Sequence, residues 1–231
     1  LHNSLNNCTA LTHINIGRSF NQPLHNSLNN CTSLTNIVFG YKFNQSLANS
    51  LKKCTALTHI VFGYEFNQPL ADSLDNCTAL TILVFDWWFN QPLGYALDNC
   101  TLLTRLTFGQ YFDQHLYDSL KKCVLLTHIT FGHSFNKPLD HSLKKCTSLT
   151  HIAFGYMFNQ PLHIFLCNCP FLVHLELDLM FNQKLDLPHN IRSLNLNSNN
   201  GNLMDYLPDS IEKLKLGYNF NLKLDNLPST I

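Results

Sequence analysis

The sequence predicts an α/β solenoid: a right-handed coil of about ten units, with a parallel sheet on its concave side and short helical or 3₁₀ segments on its convex side. Three observations carry that reading. A phenylalanine recurs every 23 residues, at Phe20, Phe43, Phe66, Phe89, Phe112, Phe135, Phe158 and Phe181, without insertion or deletion. Each unit divides into a stretch whose apolar residues alternate and a stretch where they recur every three to four residues. Finally, no single unit holds enough apolar residues to close a core alone, so neighbours must share one.

The unit that opens at Leu57 shows how each element arises. Leu57, Ile60 and Phe62 stand at positions 1, 4 and 6, with His59, Val61 and Gly63 at 3, 5 and 7, the pattern of a short strand with one face buried. Position 1 marks ten such strands, at Leu11, Leu34, Leu57, Leu80, Leu103, Leu126, Leu149, Leu172, Ile191 and Ile211. Gly63 ends the strand, and Phe66 and Leu70 at positions 10 and 14 turn inward. Pro69 has no amide hydrogen, so this corner lies outside the ladder. Leu70, Leu74 and Cys77 then fall at i, i+4 and i+7, the period of a helix with one buried stripe, in a space for about two turns. Positions 1, 4, 6, 10, 14, 18 and 21 are therefore expected in the core. Ten strands about 4.8 Å apart make a sheet about 45 Å long.

The array is expected to be a single solenoid over 1–231, with regular 23-residue units in 1–171 and shorter units of 19 or 20 residues in 172–231, where LPHNI, LPDSI and LPSTI replace the helical segment. It opens at Leu1 and closes at Ile231 in mid-unit, which predicts that it is incomplete at both ends. Fifteen basic and fifteen acidic residues cancel and charged residues make up 13%, so phosphate-driven nucleic-acid binding has little to act through. No apolar run reaches the length of a membrane span, and no secretory signal opens the chain; a soluble protein is expected.

The pattern LxxIxF…N…L, with a cysteine three residues before its first leucine, resembles the leucine-rich repeat. FNQPL, intact at Phe20–Leu24, Phe66–Leu70, Phe89–Leu93 and Phe158–Leu162 and varied at Phe43, Phe112, Phe135 and Phe181, narrows the resemblance to the FNIP repeat. That leucine-rich-repeat variant is abundant in social amoebae and giant DNA viruses. The resemblance covers essentially the whole chain and departs from the motif at Asp113 and Gly201. It implies a binding solenoid, joined in many members to an F-box that recruits a ubiquitin-ligase scaffold; no F-box lies within these residues.

Several residue types form ladders. Cysteines share position 21 at Cys8, Cys31, Cys54, Cys77, Cys100, Cys123, Cys146 and Cys169. They read as disulfides or metal ligands on one view, and on the other as small apolar residues filling a tight corner, reduced as in the cytosol. Cys-x4-His recurs, as at Cys54/His59, but the cysteine faces the core and the histidine the sheet's open face, so a shared zinc ion is not expected. Asn21, Asn44, Asn67, Asn90, Asn136, Asn159 and Asn182 follow the inward phenylalanine, where an amide can bridge to the next unit. The Asn-Cys-Thr triplets at Asn7, Asn30, Asn76 and Asn99 read as by-products of the repeat.

A partner would meet the side chains that vary on this frame. His59, His128, His151 and His174, with Arg105 beside the last three, occupy position 3 of the concave sheet: a solvated polar row, or a binding stripe that responds to pH. One unit differs from the others in carrying Ile82, Val84, Asp86, Trp87 and Trp88, and Tyr41, Tyr64 and Tyr156 hold the position of Trp87 in other units. Tryptophan and tyrosine dominate binding hot spots, although one tryptophan could instead fold over the sheet end as packing. The expected function is a protein-interaction solenoid that forms the recognition part of a larger adapter; with no phosphate loop, nucleophile elbow or convergent carboxylate pair in the sequence, an enzyme is not expected, nor is a cofactor. The alternative is a structural or self-assembling repeat protein.

Overall fold

The computed structural model describes residues 5, 7–139, 142–198, 207–218, 220, 221, 223 and 227. Among the described residues the strands are β1 (His13–Asn15), β2 (Asn36–Val38), β3 (His59–Val61), β4 (Ile82–Val84), β5 (Arg105–Thr107), β6 (His128–Thr130), β7 (His151–Ala153), β8 (His174–Leu177), β9 (Ser193–Leu196) and β10 (Lys213–Leu216), with one helix, α1 (His163–Cys167), before β8. All ten lie in one sheet in chain order and pair in parallel. The register advances by one repeat per strand, so that Ile37 pairs with Ile60 and Ile60 with Leu83. Every strand begins two residues after the position-1 residue that marks it in the sequence, and β1–β7 are three residues long.

The seven positions expected inside are inside: in the third full unit Leu57, Ile60, Phe62, Phe66, Leu70, Leu74 and Cys77 are all buried. Phenylalanines at positions 6 and 10 form two columns of stacked rings, Phe62 and Phe66 having centroids 4.0 Å apart within one unit and Phe66 lying 6.0 Å from Phe89 in the next. Each ring covers the faces of its neighbours, so the large side chains of one unit are buried only because adjacent units exist. An eighth core position escaped the sequence pattern, because it is occupied by small polar residues: Ser27, Ser50, Ser73, Ser119 and Ser142 at position 17 are buried, as is Ala96.

The outer segments differ from the expected helix. Among the described residues only α1 is helical; elsewhere the segment is a chain of tight turns, with Ser73 N–H donating to Leu70 O at 2.8 Å, Asp75 N–H to Asp72 O at 3.2 Å and Cys77 N–H to Leu74 O at 2.9 Å. Position 15 explains the change. His25, Ala48, Ala71 and Tyr117 have positive φ there, and a left-handed residue cannot open a right-handed helix. Asn, Asp and Ser in these segments also favour turns over helix. In α1 the sequence HIFLC lacks them, and Phe165 fills the position-17 slot held by serine elsewhere. LPHNI and LPDSI close as turns, Ile191 N–H donating to Pro188 O and Ile211 N–H to Pro208 O, both at 3.2 Å. Gly201 and most of LPSTI lie outside the described residues.

Within the stack, close approach accounts for glycine at position 7. A Cβ on Gly63 would lie 2.1 Å from the carbonyl oxygen of Gly40, so stacking at this corner leaves no room for one. Asp86 breaks the series, and its carboxylate Oδ1 accepts the Trp87 N–H at 2.8 Å.

Candidate functional site

Three ladders hold the frame rigid beneath the variable side chains. Asn67 Oδ1 accepts the Asn90 N–H at 2.9 Å and the Gln91 Nε2–H at 3.0 Å, and the same pair of bonds recurs from Asn21, Asn44, Asn90, Asn136 and Asn159. At Asp113 the carboxylate keeps the bond to the Asn136 N–H at 2.9 Å, and Lys137 replaces glutamine, with Nζ 2.7 Å from Asp113 Oδ2. Threonines at position 2 form a ladder that the sequence reading missed: Thr127 Oγ1–H donates to Thr104 O at 3.0 Å and Thr150 Oγ1–H to Thr127 O at 3.1 Å. Its signal was the invariant LT that opens the first seven units, read only for its leucine.

The cysteines belong to the core. Cys54 donates Sγ–H to Leu28 O at 3.5 Å, and Cys146 to Leu120 O at 3.7 Å, each thus tied to the previous unit. Burial first, then the neighbouring thiols, push Cys54, Cys100 and Cys146 up to about 12, so these thiols are protonated and unreactive at neutral pH. Cys77 and Cys123 are buried in the same row, and burial raises both. His59 lies on the opposite face of the sheet from Cys54, half-buried, with Nδ1 2.8 Å from Thr58 Oγ1.

On the open side of the sheet, Val38, Val61 and Val84 pair across β2, β3 and β4, with Ile82 beside them. At the end of these strands the aromatic residues form one strip. Tyr41 and Tyr64 stack with centroids 4.4 Å apart, Tyr64 and Trp87 at 5.4 Å, and Trp88 and Tyr111 at 4.5 Å. The Arg18 guanidinium lies 5.1 Å from the Tyr41 ring and closes the strip at its far end. Trp87 and Trp88 keep 38% and 44% of their surface exposed, so neither folds away as packing. Trp87, Gln110, Tyr111, His133 and Ser134 line a groove of about 240 Å³ beside them.

The structure therefore joins Tyr41, Tyr64, Trp87, Trp88, Val84 and Ile82, with Asp86 capping the Trp87 amide. It adds Tyr111 and Arg18, which the sequence reading did not single out; Tyr111 stands one period after Trp88, so the repeat itself was the available signal. Tyr156 is set apart, stacked on His133 at 4.9 Å with Gln110 interrupting the row. Arg105, His128, His151 and His174 continue the position-3 row from Ile82 across β5 to β8.

The sequence matches the BspA type leucine rich repeat region, in six copies, over residues 2–90 and 94–178. The chain is a BspA-type leucine-rich-repeat protein. This BspA-type solenoid is similar to the crystal structure of CroV588, described as a novel circular leucine-rich-repeat protein, with a TM-score of 0.73 and 29% identity over 96% of this chain and 36% of that one. It thus spans about a third of that protein's length. The fold also matches an internalin, InlF, from Listeria monocytogenes, with a TM-score of 0.53 and 15% identity over 91% of this chain and 75% of that one. A third likeness is to TLR13 in complex with a single-stranded RNA, with a TM-score of 0.63 and 14% identity over 93% of this chain and 37% of that one. No curated protein matches the sequence. Among the described residues, no helix of this BspA-type solenoid is long and apolar enough to cross a membrane.

Proposed function

We propose that the chain is the recognition part of a larger adapter, holding a protein partner on the open side of its sheet with Trp87 and Trp88 as anchors. The observation that carries this reading is the concentration of half-exposed aromatic and aliphatic side chains, from Val38 and Tyr41 to Trp88 and Tyr111, on one face of adjacent units. Aromatic side chains on a rigid frame bury much area on binding at little entropic cost, which is why they dominate hot spots. Leucine-rich repeats are a protein-interaction fold and typically not enzymes, and catalysis forms no part of this reading. FNQPL supports the finer assignment to the FNIP variant, and through it an adapter that meets a ubiquitin-ligase scaffold by a region outside these residues. A cytoplasmic location, in the host cell if the protein is viral, is supported by the ladder of buried, protonated thiols.

The test places a photo-crosslinking phenylalanine analogue at Tyr64 or Val84 on the sheet side and at Ile164 on the outer side, which is also exposed. Adducts to a partner are expected from Tyr64 and Val84 alone. Trp87→Ala with Trp88→Ala is expected to weaken capture at least about thirtyfold, at two or more kcal/mol for the pair, with an unchanged circular dichroism melt. Adducts from Ile164 alone, or only between copies of the chain, would overturn the reading, the latter in favour of self-assembly.

A further inference from the structure

Position 3 changes character along the sheet. From Ile82 in β4 the register leads to Arg105, His128, His151 and His174, four cationic or potentially cationic groups on consecutive strands. The His128 and His151 rings stack with centroids 4.2 Å apart and planes 8° apart, and His174 lies 5.4 Å beyond. The threonine ladder settles which nitrogen carries the proton. Thr127 gives its hydroxyl hydrogen to Thr104 O, so at 2.9 Å it accepts from the His128 Nδ1–H. Thr150 gives its own to Thr127 O and accepts from the His151 Nδ1–H at 2.8 Å. Each neutral ring is therefore left with its lone pair on Nε2, and each protonated ring gains an uncommitted N–H there.

The groups facing these rings are few. From the flanking strands they are Arg105 and Thr107 on β5, Thr130 on β6, Ala153 on β7, His174 and Glu176 on β8, and Ser193, whose Oγ lies 2.9 Å from His174 Nδ1. Among the described residues no carboxylate lies within ion-pair distance of Arg105, His128, His151 or His174. Burial first, then the neighbouring imidazoles and Arg105, hold His128 below its ordinary value, and the same influences act on His151. The free protein thus resists protonating a row that has almost no negative charge to balance it. A carboxylate brought over the row removes that opposition, and protons bind with it. With a single permanent cation in the row and no net charge on the chain, the surface suits carboxylates met at low pH better than a run of phosphates. The four groups span about 14 Å, the length of about four residues of extended chain.

We infer that this face is an acid-gated docking site for an extended partner segment, which lays apolar side chains on Val38, Val61, Val84 and Ile82 and carboxylates on Arg105, His128, His151 and His174. The inference rests on the protein-interaction reading above and adds the partner's chemistry and its regulation. The gate is the uptake of protons by the histidines as the carboxylates arrive.

The test uses the full chain and a fluorescein-labelled synthetic peptide with leucines in one half and glutamates in the other, followed by anisotropy. Binding is expected to be at least about tenfold tighter near pH 5.5 than near pH 7.5, where glutamate is ionised throughout. His128→Gln with His151→Gln should cut most of that difference, and Arg105→Gln should weaken binding at both pH values. A glutamine version of the peptide should bind without pH dependence. Binding that ignores pH, or that is equal for the glutamine peptide, would overturn the gate while leaving the interaction reading intact. Absence of binding at either pH, or tighter binding of a single-stranded oligonucleotide than of the peptide, would overturn the assignment of the partner. Arg105 is exposed and its glutamine variant is expected to keep the fold, so the charge requirement remains testable whatever the histidine pair does to stability.

Discussion

At Asn90 one amide oxygen answers two donors of the next unit, the Asp113 N–H at 2.9 Å and the Gln114 Nε2–H at 3.1 Å. Asn90→Ala leaves a half-buried backbone amide without its acceptor and is expected to destabilise the protein by about 1–3 kcal/mol. A thermal melt checks it, and an unchanged melting temperature would remove the ladder's structural role; anisotropy of the labelled peptide should not move. The exchange at Asp113 shows what this position demands. An oxygen must face the next unit's N–H, while the second partner can be neutral, as in Asn90 with Gln114, or charged, as in Asp113 with Lys137.

Within the outer segment, the turn is entered through a left-handed residue, at φ 42° for Ala71 and φ 54° for Gly94. Only glycine adopts this conformation without a penalty from its Cβ, which is about 1–2 kcal/mol for other residues. Ala71→Gly is therefore expected to stabilise the protein by about 0.5–1 kcal/mol after the entropy lost by a freer unfolded chain, as read by urea denaturation. A loss of stability would show that the Ala71 methyl packs more favourably than its exposure suggests. The same geometry explains why these segments are not helices despite an i, i+4, i+7 pattern: the left-handed entry takes the residue that a first helical turn would need.

Across the whole molecule the histidine row couples stability to pH. His128 and His151 titrate below their ordinary value of about 6.5 when folded, whereas the unfolded chain titrates at about that value. Above it both states are neutral and stability is full. As pH falls below it, the unfolded chain takes up protons first and the folded state loses stability until its own histidines titrate. The melting temperature is expected to fall between about pH 7 and the folded-state titration, and less steeply in His128→Gln with His151→Gln, as differential scanning fluorimetry would record. A melting temperature that rises on acidification would mean that the row finds a negative partner within the chain. Bound carboxylates should reverse the slope, which separates the free from the occupied face.

The repeat, at 23 residues and then at 19 or 20, determined the solenoid, its parallel order and the position of all ten strands to within two residues, and the 23-residue units determined the core at seven positions each. It could do so because an invariant step forces equivalent residues of successive units into register, whatever their individual propensities. The asparagine bridge was legible for the same reason. Tertiary structure alone decided the rest. A helix and a run of tight turns share one apolar spacing, and only the backbone at position 15 separates them. Ser at position 17 looks like a surface residue until the next unit covers it. Likewise the strip from Tyr41 to Tyr111 depends on which ring the adjacent unit sets beside each, and the tautomers of His128 and His151 on the adjacent unit's carbonyl that takes the threonine hydrogen, distances that one unit's sequence does not contain.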